Sequence, residues 1–340
     1  MKDNLSAWLI SEKDFPVNGS EEEKIKFLIG YAILAPSGHN SQPWIFKIKK
    51  SGIKLYADRT RALPVIDPED RELTISCGAA LTNFVIAANY FGFSTKVHIC
   101  PLEKDFDLLA EVKLSENHTP SAETKKLFYA ITKRRTNRKP FENQVIDGLI
   151  LQKLETIAGE DNVNFRIFSD EKLRELAISI IEEGDKIQSK DKSFCRELAQ
   201  WVHPDRKKSK DGIPVHSFGV GDLFSQTGPF YLSNIDWGDI QAARDRNLIE
   251  GSPVLGIIES KDDTPADWIY SGMALEKIIL FAASENLSAS YLNQPLEVPV
   301  LKERLINTLN LKGFPQQILR MGYGKDVNPT PRRSVDEVLE

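Results

Sequence analysis

Residues 35–44, APSGHNSQPW, set Pro, Ser, Gly, His, Asn and Gln between an apolar helical segment (27–34) and an apolar strand-like segment (45–48). Turn-forming polar residues at such a junction present backbone N–H groups and amide side chains, where a planar polar ligand can meet them. An ordinary helix-to-strand turn has the same composition, so spacing alone leaves both readings open. A second concentration of chemistry is Lys133-Arg134-Arg135-Thr136-Asn137-Arg138-Lys139, followed by Pro140 and Phe141. Guanidinium groups bind phosphate in bidentate geometry and a threonine hydroxyl adds a neutral donor. The alternative is a solvated basic face. Arg332 and Arg333 follow Pro331 near the C-terminus. Two arginine clusters so far apart in sequence could converge on one phosphate dianion. No Ser-His-Asp order or metal-ligand spacing competes, and His98 with Cys100 reads as a strand end. His39 has two readings, a histidine bonding its own turn or a group that touches a ligand and donates a proton.

Elements that must position these groups follow from periodicity and caps. A helix over 21–35 has Ser20 as N-cap and three glutamates in its first turn, which complement the helix dipole. Strands are expected at 44–49, 53–57, 96–100 and 109–114, then a helix over 121–133 leading into the arginine cluster. Beyond it come a helix at 145–158, a strand at 164–168, helices at 170–188 and 191–201, and strands at 253–259 and 317–323. Residues 203–228, rich in Lys, Asp, Gly and Pro, read as a lid or as a solvated surface loop.

The chain also repeats itself. Residues 77–94 (CGAALTNFVIAANYFGFS) and 271–288 (SGMALEKIILFAASENLS) share Gly78/Gly272, Ala80/Ala274, Leu81/Leu275, Ala88/Ala282 and Ser94/Ser288. Each reads as a buried helix, because its apolar side chains cover more than one stripe of the helical surface. Small residues at Gly78 and Gly272 would let helices approach closely. The period is far longer than in solenoids and implies two related halves. Helices and strands mixed throughout give an α+β fold with one central sheet per half.

Composition bounds the function. A chain of 340 residues suits about two domains. A net charge of −5 argues against a general nucleic-acid binder. No run of about 18 apolar residues suggests a membrane span, and the first residues lack the apolar core of a signal peptide. Three scattered cysteines make no disulfide framework, and the expected compartment is the cytoplasm.

With these residues in view, the loop resembles the flavin-ring segment Pro-Ser-x-x-Asn-x-Gln-Pro-Trp of the FMN-dependent nitroreductases. RRTNRKPF (134–141) resembles the family's Arg-x-Ser-x-Arg/Lys-x-Phe motif, with Phe141 one residue late. LRMGYG (319–324) and TPRRSVDEVL (330–339) resemble its last strand and basic tail, and 58–81 and DGIP (211–214) extend the likeness. Carried over position by position, Pro36, Ser37, Gly38, Asn40 and Gln42 would meet the flavin, with His39 as a candidate catalytic group. Arg134, Arg135, Thr136, Arg138, Arg332 and Arg333 would hold the phosphate side. The acidic ring-contact position falls at Asn293, followed by Gln294 where glycine is usual, and Asn286 also replaces a family glycine.

The loop here precedes the arginine motif, as in the double-length, fused Acg-type members, in which one polypeptide imitates a dimer. The resemblance implies a nitroreductase-like α+β fold of two halves, 1–124 and 125–340, with mixed, mainly antiparallel sheets flanked by helices. It implies FMN as cofactor, NADH or NADPH as co-substrate, and a nitroaromatic or quinone-like small-molecule acceptor, in a monomeric pseudo-dimer. The second half's counterpart of the loop, IAGEDNV (157–163), lacks the Ser/Asn/Gln/Pro-Trp chemistry, so one flavin site per chain is expected. The alternative is a non-enzymatic flavin-binding protein that stores the cofactor.

Overall fold

Two four-stranded sheets carry the fold in a computed structural model, which describes residues 3–100, 104–158, 163–203, 209–214 and 236–340. Helices among these are α1 (Glu21–Ala32), α2 (Arg71–Tyr90), α3 (Ala122–Ile131), α4 (Gly148–Ile157) and α5 (Glu171–Lys190), then α6 (Lys192–Trp201), α7 (Gly238–Glu250), α8 (Pro265–Ser284), α9 (Gln294–Glu297) and α10 (Pro299–Leu309). Strands are β1 (Trp44–Lys49), β2 (Gly52–Ala57), β3 (Ser94–Ile99), β4 (Leu108–Ser115) and β5 (Val163–Ile167), then β6 (Val202–His203), β7 (Ile213–Pro214), β8 (Val254–Ser260), β9 (Leu287–Tyr291) and β10 (Phe314–Tyr323).

The first sheet has the order β1-β2-β4-β3 and the second β5-β8-β10-β9, and every neighbour in both is antiparallel. Taken in chain order within each half, the two sheets have the same topology. In each, a long core helix (α2 or α8) joins the second strand to the third. The repeat seen in the sequence is therefore the shared helix-to-strand unit. Its helices run over 71–90 and 265–284, earlier than the matching segments, whose last residues already belong to strands β3 and β9.

Shape at the crossing of α2 and α8 is set by the repeated glycines. A Cβ on Gly78 would lie 2.3 Å from the Ile269 carbonyl oxygen and 3.0 Å from the Gly272 Cα. A Cβ on Gly272 would lie 2.0 Å from the Ile75 carbonyl oxygen and 3.0 Å from the Gly78 Cα. The matched glycines therefore face one another, as equivalent residues do across a two-fold axis. Around this crossing one hydrophobic core, including Leu81, Phe84, Leu275 and Ile279, runs through both halves without interruption. Helix α2 is long and apolar enough by composition to cross a bilayer, but here it is the buried core.

Chain termini lace the halves together. Phe46 of β1 donates to the Val338 carbonyl at 2.7 Å, and Glu340 donates back to Phe46 at 3.0 Å, so the tail extends the first sheet. Thr136 bridges to Ala289 of β9. Residue 124, the expected end of the first half, lies inside α3, a continuous helix packed on both α2 and α8.

Sequence patterning located most of the expected elements to within a few residues. Helices α7, α9 and α10 were not anticipated. Helix α7 has its polar residues spread around the helix, with Asp245 and Gln241 turned inward, so no clean apolar stripe announces it.

If the glycine crossing fixes the fold, Gly78→Ala and Gly272→Ala should each cost about 1–3 kcal/mol, because backbone atoms cannot step aside. Gly148→Ala, whose added Cβ meets nothing within 4 Å, is the control and should be near neutral or stabilising. Urea denaturation measures all three, and equal costs would remove the crossing from its role.

Candidate functional site

A cleft of about 230 Å³ opens where the halves meet. From the first half it is lined by Pro36, Ser37, Gly38 and His39, with Glu72 and Ser76 of α2 behind them. From the second half come Arg138, Tyr291, Asn293, Gln294 and Glu297, and a wall built by α5 and α7 that includes Gln188, Arg244 and Asp245.

Local backbone explains the loop's composition. His39, Asn40 and Gln42 all lie in the left-handed region, at φ 50°, 54° and 54°. Such geometry costs about 1–2 kcal/mol for a residue with a side chain, least for Asn. It persists because the surroundings hold it. Ser37 Oγ accepts from the Gln42 amide at 2.9 Å, and the Gly38 amide reaches Ser76 Oγ at 3.4 Å. Asn40 Nδ2 donates to Gly212 and Pro331 carbonyls at 3.0 and 3.1 Å, while its Oδ1 accepts from Arg332 Nη1 at 2.8 Å. Gln42 Nε2 donates to Asn40 and Lys210 carbonyls, and its Oε1 accepts from the Arg333 amide at 2.8 Å. Asn40 and Gln42 thus bind the loop, the 209–214 segment and the tail into one unit. Neither lines the cleft.

The two arginine clusters do converge. Arg134 Nη2 and Arg332 Nη2 both donate to the Leu34 carbonyl at 3.2 Å, and Arg332 also holds the Ala35 carbonyl. Arg135 and Arg332 lie over the Trp8 ring, 4.0 and 4.9 Å from its centroid. An N-terminal strap brings Trp8 there, anchored by Trp8 Nε1 on the Thr330 carbonyl at 2.8 Å. Arg333 turns away to the Gln42 carbonyl and Asp58. Thr136 sits half-buried at its bridge to Ala289. Of the predicted basic residues, only Arg138 reaches the cleft, and among the described residues its guanidinium makes no hydrogen bond or ion pair. Arg244 and Arg320 line the same region. Neither was singled out in the sequence: Arg244 lies on a helix outside the motifs, and Arg320 lies within the LRMGYG segment without being marked as a site residue.

Charge around Arg134 and Arg332 does not balance. Both are buried, and the Nε of each has no partner. Their nearest acid, Glu276, is wholly buried with its Oε1 3.9 Å from Arg134 Nε, too far for a hydrogen bond. Burial, then repulsion from Arg134 and Arg135, pushes the Arg332 pKa well down. Burial raises Glu276 to about 7, against the pull of Arg134. Uncompensated buried cations are costly. An anion with several acceptor oxygens, such as a phosphate, is the chemistry this donor set fits.

The remaining cleft groups are polar and shielded. His39 Nε2 is buried without a partner, and burial, then Arg138, pushes its pKa down to about 4, so the ring is neutral near pH 7. Gln294 Nε2 bridges Asp185 and Asp245 at 3.0 and 2.9 Å, leaving its Oε1 free. Asn293 Nδ2 donates to Glu72 and Gln317, and its Oδ1 accepts from the Ile318 amide. Asn286, at φ 61°, takes the left-handed turn that glycine would otherwise supply. The DGIP segment meets the loop directly: Gly212, at φ 72°, bonds Asn40, and Asp211 is held down to about 2 by its hydrogen bond from His203 and then by Arg61. Of the expected lid at 203–228, residues 204–208 and 215–228 lie outside the described residues, as do 159–162 of the second half's loop counterpart.

A pH effect follows from Glu276. Its folded-state pKa of about 7 exceeds the ordinary 4.5, so the folded protein binds the extra proton between those values. That contribution is complete below pH 4.5 and is lost as pH rises to about 7. Relative to wild type, Glu276→Gln should therefore gain stability across that window, by up to about 3 kcal/mol above pH 7. Urea midpoints of the cofactor-free proteins at pH 5, 6, 7 and 8 test it, and parallel curves would refute the raised pKa.

Comparison with models of protein families gives no match. The chain is 28% identical over 330 residues to the Mycobacterium tuberculosis (strain H37Rv) protein named "Putative NAD(P)H nitroreductase acg", covering 93% of this chain and 95% of that one. It is 26% identical over 333 residues to "Putative NAD(P)H nitroreductase Rv3131" of the same organism, covering 94% and 92%. A crystal structure of the FMN and NADPH-dependent nitroreductase NfnB from sphigopyxis sp. strain HMH aligns at a TM-score of 0.41 and 16% identity, over 63% of this chain and 97% of that chain. Along almost its whole length, and with two like halves in one polypeptide, the chain is similar to the Acg-type proteins named as putative NAD(P)H nitroreductases.

Proposed function

We propose that this protein is an FMN-dependent oxidoreductase that takes electrons from NADH or NADPH and passes them to a nitroaromatic or quinone-like acceptor, at one flavin site per chain. The observation that carries this reading is the meeting of the Pro36–Ser37–Gly38–His39 wall with Arg138, Tyr291 and Asn293 across the junction, beside buried arginines whose Nε atoms have no hydrogen-bond partner. The relatives' names as NAD(P)H nitroreductases agree with it. A single site is supported by the second half's counterpart segment, which carries no Ser, Gln, Pro or Trp and only one asparagine, Asn162.

Each part of the chain has a task. Arg134, Arg138 and Arg332 would hold the phosphate of FMN, with Thr136 and Arg135 beside them, and the excess positive charge there would be neutralised by the dianion. Pro36 to His39 would form the wall along the ring, and Asn293 and Gln294 would present polar groups to its edge. Asn40, Gln42 and Arg333 act one step removed, by fixing the strained loop. Bound FMN supplies hydride acceptance and donation. The junction would keep that chemistry in a half-open cleft among buried side chains, where hydrogen bonds and charges act more strongly than in water.

Purified protein should take up FMN and turn yellow, and NADH or NADPH should bleach it under anaerobic conditions. A colourless protein that refuses added FMN would sink the reading. Bleaching by dithionite but by neither nicotinamide would make the protein a flavin store. Arg134→Ala and Arg138→Ala should each weaken FMN about 10-fold or more beyond any loss for riboflavin, since a charge-assisted bond supplies about 1.5–3 kcal/mol. Equal losses for the two flavins would remove the phosphate role.

A further inference from the structure

We infer that Glu72 and Glu297 hold one proton between them at the floor of the cleft, and that Glu72 delivers it to the acceptor during reduction. This rests on the flavin reading above but concerns residues that neither motif contains.

Glu72 stands at the start of α2, and the first half thereby sends a carboxyl into the cleft. Its Oε1 accepts from Arg71 Nη2 at 3.2 Å and from Asn293 Nδ2 at 3.1 Å. Its Oε2 makes no hydrogen bond among the described residues and lies 3.5 Å from where a Cβ on Gly38 would stand. Glycine at 38 thus keeps this oxygen open beside the ring-wall loop. Glu297 comes from the second half at the end of α9, also lines the cleft, and accepts from Gln188 Nε2 of α5 through its Oε2.

Charge decides the protonation. Asp67, Glu72 and Glu297 are the carboxyls grouped here, and Arg71 is the cation among them. Arg71 is shared, since its Nη1 is committed to the Gln316 carbonyl and side chain. Asp67 stays a helix-capping acceptor for the Glu72 and Leu73 amides at 3.0 and 2.8 Å. Asp70 adds further negative charge near Asp67. Arg138, Arg244, Arg320 and Asp245 line the other wall, Asp185 accepts from the cleft residue Gln294, and His39 in the loop is neutral. Carboxylates crowded in a shielded site cannot all ionise. Consistently, burial first and neighbouring acids next raise Glu72 to about 7 and Glu297 well above the usual carboxylate range.

The step balances. A quinone-like acceptor would gain an electron pair as hydride, the chemistry that FMN would supply when bound and reduced, and negative charge would build on an acceptor oxygen. The carboxyl O–H of Glu72 breaks and the proton forms an O–H bond on that oxygen, giving the hydroquinone. Glu72 is left as a carboxylate beside Arg71 and takes a new proton from water. General acid catalysis of this kind supplies about 10²–10⁴-fold in rate.

Two measurements test the pair. Carboxyl ¹³C NMR of glutamate-labelled, cofactor-free protein, assigned with Glu72→Gln and Glu297→Gln, should show coupled titration with one of the two still protonated near pH 7. Titration of both in the ordinary carboxylate range overturns the proposal. In stopped-flow oxidation of the reduced, FMN-loaded protein, the ratio of benzoquinone to ferricyanide rates should fall about 10-fold or more in Glu72→Gln, because ferricyanide needs no proton. An unchanged ratio, with FMN bound and reduced normally, overturns proton delivery alone. Failure to bind FMN would instead overturn the flavin reading, while the NMR titration still judges the shared proton.

Discussion

Backbone contact between Gly78 and Gly272 is the constraint on which the rest of the molecule depends. It brings α2 and α8 together at a distance no side chain would allow, and each helix carries its own sheet with it. Two sheets of like topology are thereby placed around one continuous core. The junction so created is where the cleft lies. A site of this kind belongs to neither half, because each supplies groups that the other lacks.

Division of labour at the junction is electrostatic as well as geometric. The tail and the arginine motif bring cations to the Leu34 and Ala35 carbonyls, at the entrance to the strained loop. Trp8 lies over two of them. Further into the cleft the balance reverses, with Glu72 and Glu297 facing the same space from opposite halves. A ligand with a phosphate at one end and a reducible ring at the other finds opposite chemistry along its length. Low polarity of the surroundings strengthens both ends.

Much of the candidate site was legible because its composition is unusual for its position. Pro36, Ser37, Gly38 and His39 are surrounded by apolar segments, and they do form a cleft wall. The arginines were legible as a cluster, but their individual directions were not. Arg138 faces the cleft while Arg134 faces the Leu34 carbonyl, and positions on an irregular segment carry no periodicity from which to read that. Asn40 and Gln42 belong to the same loop string, yet their left-handed backbone turns their amides onto the tail and the 209–214 segment. Glu72, Arg244 and Arg320 went unread for another reason. Each is one charged residue on a long regular element, and only packing of distant segments distinguishes it from a surface charge.

By itself the sequence determined the duplication, the helix and strand content of most of the chain, and the polar loop with the two basic segments that follow it. Those properties are local: caps, apolar periodicity and repeated small residues act within a few turns of chain. Tertiary structure alone decided which atoms share the cleft, because that depends on contacts between residues hundreds of positions apart. The Arg332 guanidinium on Asn40 and the Asn293 amide on Glu72 are such contacts. So are the raised pKa values of Glu72 and Glu276, since desolvation exists only once both halves have closed around the carboxyl.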